Sequence, residues 1–277
     1  MSKINVAILG SGPLAELCMK KIQARADLTY LTLIAGGENP PSDADSLVYL
    51  PSAPELTAGD AAARILSLLQ QGFNVVTPVP AEAMAHPDLL NACKQGNATF
   101  HGSGGFQNSL PSRFNRAFST ITRDIRKVEL TEERLVESWD DNLGASSEPY
   151  YAAGLHTLAE AVFGDALEKE TTSSVVDESA KQDELTVFRS LGDQVVYVSK
   201  WTHQTDSAPP LRYRLRTVSE EATGITTITF NNDSDTTIAD HLTCKGLLNA
   251  ITAASNSAPG ILHHDLEINY VMPDNRL

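Results

Sequence analysis

A glycine-rich turn near the start of the chain constrains the fold more than any other stretch. The short apolar run of residues 4–9 stops at this turn, whose sequence is Gly10-Ser11-Gly12-Pro13-Leu14-Ala15. Apolar residues then recur at spacings of three and four, as they do on one face of a helix. A strand, a turn of the form G-x-G-x-x-A and a helix in this order are typical of the first half of a dinucleotide-binding unit. The sequence therefore predicts a Rossmann-like domain in the first half of the chain.

The positions of the turn suit contact with phosphate. Gly10 permits a tight turn, and Gly12 lets the backbone approach a pyrophosphate closely. Pro13 fits the first helical position, where no N–H group is needed. The helix N-terminus offers free N–H groups and a partial positive charge. We therefore predict that the turn binds a dinucleotide through Gly10, Ser11, Gly12, Pro13 and Leu14.

Charge and cysteine content narrow the class of partner. The chain has 277 residues and a net charge of −14, so a nucleic acid or an anionic membrane would be repelled. Its three cysteines are far apart and form no C-x-x-C motif, which indicates a reducing compartment. No apolar run is typical of a signal peptide or reaches the roughly 20 residues of a membrane span. We expect a cytoplasmic protein whose partner is a small-molecule substrate.

The second and third predicted strands, residues 28–35 and 46–50, are joined by the short loop GGENPPSDAD. A crossover that contains a helix needs about a dozen residues or more, so we predict a shortened β2–β3 crossover. Glu38 is the nearby acidic residue placed to hold an adenosine ribose. The loop has no Arg or Lys to meet a 2′-phosphate, which slightly favours NADH over NADPH. Two interpretations stay open: the loop closes the adenosine pocket in another way, or cofactor binding is weakened or lost.

Alternation of strands and helices continues to about residue 107, where the pattern changes. In open α/β folds the ligand lies outside the carboxyl ends of the strands. This assigns further cofactor contacts to residues at or just after strand ends, namely Pro51, Ser52, Ala53, Thr77, Gly102, Ser103 and Gly104. The glycines of the last group either line the ligand crevice or form a flexible turn.

The second half of the chain is richer in β-strand patterns. We expect an exposed polar loop over residues 168–183, four β segments between 184 and 232, and a helix over 238–256. The predicted fold class is α/β: a Rossmann-like domain (1–118), then an α+β substrate and dimerisation domain with an open, mainly antiparallel sheet (119–258). Residues 259–277 are expected to pack back towards the first domain. An open sheet face favours a homodimer or a higher homo-oligomer.

Four stretches of the chain together resemble a known family. They read VAILGSGPLAE, GFNVVTPVPAEAMAHP, ACKQGNATFHGSG and LLNAITAASNSAPGILHHDLE. In this order they resemble the dihydrodipicolinate reductase-like family, in the branch of 2,4-diaminopentanoate dehydrogenase and the native amine dehydrogenases. The resemblance implies an NAD(P)H-dependent oxidoreductase that acts on a C–N bond, by imine reduction or amine dehydrogenation.

The resemblance also suggests catalytic residues. Glu82 lies in the stretch that matches the family's acidic motif, where a carboxylate would stabilise an iminium or accept an ammonium proton. The alternative is that Glu82 is a solvated or helix-capping carboxylate. His101 precedes the second glycine turn and either takes part in the site or fills the strand end. Asn108 lies in a segment that would face the nicotinamide and the substrate.

Departures from the family keep a second hypothesis open. Residues 105–108 read Gly-Phe-Gln-Asn where the family has Asn-Pro-Gly-Phe, and the paired histidine and lysine motif of true dihydrodipicolinate reductases is not seen. The histidines form no H-x-x-x-H pair, so no metal is expected. The alternative function is a family member that has lost hydride transfer and serves as a non-redox enzyme or as a small-molecule-binding or scaffolding protein.

Overall fold

The computed structural model describes residues 3–34, 38–57, 59–104, 110–136, 141–163, 173–177, 184–203, 210–231 and 237–263. The chain divides into two compact units. The first contains Met1–Phe106, Ser138–Ala153 and Asn231–His263, and the second contains the remaining residues.

The described strands of the first unit form one parallel sheet. These strands are β1 (Ile4–Leu9), β2 (Leu28–Ile34), β3 (Ser46–Tyr49), β4 (Asn74–Thr77), β5 (Thr99–Gly102) and β12 (Gly260–Leu262). Their order across the sheet is β12-β5-β4-β3-β1-β2, and each neighbouring pair is parallel. The predicted Rossmann-like architecture is thereby confirmed.

Helices cover both faces of this sheet. They are α1 (Pro13–Gln23), α2 (Ala53–Thr57), α3 (Asp60–Gln70), α4 (His86–Gly96) and α7 (Ile238–Asn256). The buried faces of α1 and α7 pack with one side of the strands, and those of α3 and α4 pack with the other. Because both faces are covered, the central strands are mostly buried, as in β3, whose four residues are all buried.

The connection between β2 and β3 is the main departure from regular α/β winding. β3 lies beside β1 and not beside β2, since Val6 pairs with Ser46 and Leu9 pairs with Tyr49. The described residues of this connection, 38–45, contain no helix. The predicted shortening of the crossover is thus observed, and the chain reverses its direction of winding at β1 and β3. Such a switch point is where open α/β folds bind ligands.

The described strands of the second unit form a mixed sheet. These strands are β6 (Lys127–Val136), β7 (Ser173–Asp177), β8 (Glu184–Leu191), β9 (Val195–His203), β10 (Leu211–Val218) and β11 (Thr223–Phe230). The order is β11-β10-β6-β9-β8-β7, with β6 and β9 parallel and the other neighbours antiparallel. The mainly antiparallel sheet is confirmed, but the exposed loop expected over residues 168–183 is wrong for Ser173–Asp177, which form β7.

Two further helices are α5 (Leu110–Ser119) and α6 (Asp141–Phe163). α7 lies in the first unit and not, as the boundary 119–258 expected, in the second domain. The reason is that Leu247, Leu248 and Ile251 are buried against α1 and the first sheet. Gly260–Leu262 pair with β5 and so extend the first sheet. Among the described helices, none is long and apolar enough to cross a membrane.

Candidate functional site

The glycine turn between β1 and α1 has the geometry that the sequence predicts. Gly10 has φ +148°, and a Cβ atom there would lie 2.6 Å from the carbonyl oxygen of Leu50. Gly10 is therefore required by the close approach of the chain at the end of β3. Gly12 has φ +88°, and a Cβ atom there would meet no described residue within 4 Å. Open space thus lies in front of Gly12, on the side where a ligand can approach the backbone.

Helix α1 begins at Pro13 without a side-chain cap. Its N-cap is Gly12, which has no side chain that could accept a hydrogen bond from the first turn. The N–H groups at the start of a helix have no intrahelical partner, so they remain available to an anion. Ser11 and Pro13 are exposed, and Leu14 is half-buried. The turn, the open space and the uncapped helix fit the pyrophosphate of a dinucleotide.

The loop after β3 is held by a carboxylate that the sequence analysis missed. The N–H and hydroxyl groups of Ser52 both donate to Glu55 Oε2, at 2.7 and 2.6 Å, and the Tyr49 hydroxyl donates to Glu55 Oε1 at 3.1 Å. Hydrogen bonds from Ser52 hold the pKa of Glu55 below its usual value, with smaller contributions from Tyr49 and the charge on Arg64. The S-x-x-E spacing of a capping box was the available signal.

This network bears on the predicted cofactor contacts Pro51, Ser52 and Ala53. Both donor groups of Ser52 are engaged by Glu55 within the chain. Ser52 and Ala53 are nevertheless exposed, and Pro51 is half-buried. The loop therefore presents a surface to a ligand, but with the Ser52 donors already in use.

The ends of β4 and β5 are tied together by backbone hydrogen bonds. The N–H of Ser103 donates to the Thr77 carbonyl at 2.8 Å, and the N–H of Gly104 donates to the Pro78 carbonyl at 3.1 Å. A Cβ atom on Gly102 would lie 2.4 Å from the carbonyl oxygen of Val79, so this position requires glycine. The predicted residues Thr77, Gly102, Ser103 and Gly104 are thus brought together at the carboxyl edge of the first sheet.

Two of the predicted catalytic residues are described. Glu82 is exposed in a single 3₁₀ turn, Ala81–Ala83, and the N-cap of α4 is Ala85, so Glu82 does not cap that helix. His101 is buried, and its Nδ1 lies 3.0 Å from the carbonyl oxygen of Leu262. This contact joins β5 to β12. Asn108 lies outside the described residues.

A basic residue lies beside Glu38 although none is near it in the sequence. The Glu38 side chain is exposed. The backbone carbonyl oxygen of Glu38 accepts a hydrogen bond of 2.6 Å from Arg64 Nη2. Arg64 belongs to α3, 26 residues further along the chain. Sequence reasoning missed it because the contact is made by tertiary packing. Within the described part of the chain, no cluster of His, Cys, Asp and Glu is placed to hold a metal ion.

The parallel sheet and the glycine turn together give the first unit a Rossmann-like fold, and known structures with this fold are similar along most of the chain. An amine dehydrogenase from Mycobacterium smegmatis has a TM-score of 0.62 at 14% identity, over 94% of this chain and 95% of that chain. A dihydrodipicolinate reductase from Paenisporosarcina sp. TG-14, with bound dipicolinate, has a TM-score of 0.57 at 12% identity, over 95% and 98%.

A third similar structure is GenD2 from gentamicin A biosynthesis in complex with NAD, with a TM-score of 0.57 at 10% identity over 82% of this chain and 73% of that chain. No protein-family model and no curated protein sequence matches the chain. The chain thus has the fold of the dihydrodipicolinate reductase-like, NAD-binding oxidoreductases. This confirms the resemblance in fold, and leaves the reaction to be proposed.

Proposed function

We propose that this protein is an NAD(P)H-dependent oxidoreductase that acts on a C–N bond of a small molecule, by imine reduction or amine dehydrogenation. The observation that carries the proposal is the turn at Gly10 and Gly12, which lies at the switch point of the parallel sheet and opens onto an uncapped helix. The similarity to an amine dehydrogenase over nearly the whole chain supports the class of substrate.

Each part of the site has a proposed task. The first turn of α1 holds the pyrophosphate through backbone N–H groups. The edge formed by Thr77 and residues 102–104 supports the nicotinamide half. The cofactor supplies the hydride when bound, so the protein needs to orient the substrate and to supply charge or a proton.

Glu82 is the proposed catalytic carboxylate. Glu82 is exposed, and the 3₁₀ turn that carries it lies against the carboxyl edge of the first sheet. A Cβ atom on Gly102 would lie close to backbone atoms of Pro80 and Ala81. A carboxylate there would stabilise the positive charge of an iminium or accept a proton from an ammonium group. We propose His101 as a positioning residue at the strand end and Asn108 as a substrate contact.

The first experiment is a calorimetric titration of the purified protein with NADH and NADPH. We expect micromolar binding of at least one of them, and its loss in Gly12→Val, because the new side chain would fill the open space that the pyrophosphate needs. Gly59→Val is the matched control. Gly59 also has a positive φ, +76°, and no described residue within 4 Å of its Cβ position, but it lies at the start of α3. Equal binding by Gly12→Val and the unmodified protein would contradict the proposal.

Activity is then measured with panels of amines and imines. We expect Glu82→Gln to lower turnover by about 100-fold or more, the lower range for loss of a general acid or base, with cofactor affinity unchanged. Unchanged turnover would remove Glu82 from the mechanism.

The alternative is a protein that has lost hydride transfer and works as a non-redox enzyme or as a small-molecule-binding or scaffolding protein. Two observations favour it: the engaged donors of Ser52, and the absence of a helix over the described residues 38–45. Failure of both dinucleotides to bind at millimolar concentration would support this alternative.

We also propose a homodimer or higher homo-oligomer in the cytoplasm. The outer face of the second sheet supports it, because Phe188 and Ile225 are 41% and 55% exposed there. Cys18, Cys93 and Cys244 are buried free thiols, which fits a reducing compartment. Light scattering after size-exclusion chromatography tests the assembly, and a monomer at micromolar concentration would contradict it.

A further inference from the structure

Arg64 lies close to the two segments that follow β2 and β3 in the first unit. Its guanidinium donates to the carbonyl of Glu38, four residues after the end of β2 at Ile34. Its charge also acts on Glu55 and on Tyr49, the last residue of β3. Arg64 therefore lies between the segments that follow β2 and β3, close to the start of α3.

In dinucleotide-binding folds, the segment after the second strand has a known role in binding the cofactor. The segment after the second strand holds the adenosine ribose: an acidic residue accepts from the 2′-hydroxyl of NAD, and a nearby arginine accommodates the 2′-phosphate of NADP. Glu38 and Arg64 meet there, so the choice of cofactor depends on which of the two side chains contacts the ribose.

The described contacts favour Arg64. Its side chain is half-buried, and within the described part of the chain it makes the one hydrogen bond to Glu38 and no ion pair. A guanidinium has five N–H donors in a planar fork, so donors remain for a phosphate after one is used. The Glu38 side chain, in contrast, is exposed.

We propose that Arg64 binds the 2′-phosphate of NADPH, so that the protein prefers NADPH to NADH. This inference rests on the cofactor site of the proposed function and reverses the slight preference for NADH expected from the loop sequence. That expectation depended on the absence of a basic residue near Glu38, and α3 supplies one through tertiary packing.

The test compares binding of NADPH and NADH by calorimetry in the unmodified protein and in Arg64→Gln. We expect NADPH to bind more tightly in the unmodified protein. Arg64→Gln should weaken NADPH by about 10- to 100-fold, the range for a lost charge-assisted hydrogen bond, and change NADH by less than about threefold. Arg64→Lys should keep part of the preference, because it retains the charge but not the planar fork. Lys94→Gln, an exposed charge in α4, is the matched control and should change neither affinity.

Binding of adenosine 2′,5′-bisphosphate and of AMP provides a second measurement that needs no variant. The two ligands differ only in the 2′-phosphate, so the bisphosphate should bind more tightly, and this comparison decides the matter if Arg64→Gln does not fold. The inference is overturned if NADH binds as tightly as NADPH, or if Arg64→Gln weakens both cofactors equally. In those cases the proposed oxidoreductase function still stands, whereas failure of both dinucleotides to bind would overturn the inference and the proposed function together.

Discussion

The two sheets of this protein differ in how many of their faces are buried. In the first sheet both faces are covered by helices, and the central strands β1, β3 and β4 are mostly buried. In the second sheet, residues on β10 alternate between buried and more exposed positions. One face of the second sheet is therefore buried and the other meets solvent, which is common for antiparallel sheets.

The buried face of the second sheet also holds a group of polar side chains. Glu132 Oε2 accepts from the hydroxyl groups of Tyr197 at 2.9 Å and Tyr213 at 2.6 Å, while Arg189 Nη1 donates to Ser199 Oγ at 3.0 Å. All five side chains are at most 4% exposed. Burying a polar group is costly unless it is hydrogen-bonded. The second sheet thus differs from the first in that an acidic and a basic side chain, Glu132 and Arg189, are buried within its hydrogen bonds.

The largest effect should come from a truncation in the core of the first unit. Ile65 on α3 is fully buried against the first sheet. We expect Ile65→Ala to lower the free energy of unfolding by about 2–5 kcal/mol, because lost burial and a new cavity both contribute. Urea denaturation followed by circular dichroism measures it. The control is Ile225→Ala on the outer face of the second sheet, where the side chain is 55% exposed and the loss should be under about 1 kcal/mol. Equal losses would erase the contrast between covered and open faces.

A smaller effect should come from the polar group of the second sheet. Tyr213→Phe removes one of the two phenol donors from Glu132 while keeping the ring. We expect a loss of about 1–3 kcal/mol in the free energy of unfolding, because a buried carboxylate oxygen loses a partner. Tyr30→Phe in the first sheet is the control: Tyr30 is half-buried, and its hydroxyl makes no hydrogen bond within the described residues. If both variants lose equally, the hydrogen bond contributes nothing beyond packing.

An ion pair on the outer face of the second sheet should contribute less again. Arg216 Nη1 lies 2.6 Å from Glu129 Oε2, and the two side chains are 42% and 28% exposed. Solvent screens such a pair, so we expect Arg216→Gln to lower the free energy of unfolding by less than about 1 kcal/mol. The difference should shrink as salt is added. Arg214→Gln is the neighbouring control, since Arg214 forms no ion pair within the described part of the chain. A salt-independent loss above that range would show that the pair is better shielded than its exposure indicates.

The parts of the fold that sequence predicts well are those determined locally. The turn at Gly10 and Gly12 needs two special backbone positions within a few residues, and both are visible as glycine. The shortened crossover is visible because chain length alone excludes a helix. The strand β7 is not visible in this way. It is short, Ser173–Asp177, and lies in a polar stretch, and its pairing with β8 is decided by tertiary structure.

The parts that sequence missed are contacts between distant segments. Arg64 meets Glu38 only because α3 packs beside the connection between β2 and β3. α7 belongs to the first unit because its apolar face packs against α1, which lies more than 200 residues earlier in the chain. The S-x-x-E spacing of Ser52 and Glu55 is the exception, because its signal is local and was available.

The smallest effect should be the change in the free energy of unfolding with pH. Two carboxylates, one in each unit, can be compared in this way. The pKa of Glu55 is lowered chiefly by hydrogen bonds from Ser52, and the pKa of Glu129 is lowered chiefly by Lys127 and then by Arg216. Each folded pKa lies below the ordinary value of 4.5. Each carboxylate therefore stabilises the folded state above about pH 4.5, and this contribution is lost as the pH falls through the folded pKa.

We expect Glu55→Gln to lower the urea midpoint at pH 7 and to match the unmodified protein more closely as the pH falls through the folded pKa of Glu55. Glu129→Gln should behave in the same way, but its difference at pH 7 should also fall with added salt, because ion pairs lower its pKa. The Glu55 difference should resist salt, because neutral groups of Ser52 make the main contribution. A Glu55→Gln difference that stays constant from pH 7 to pH 3 would show that this hydrogen-bond network does not stabilise the loop after β3 through the charge of Glu55.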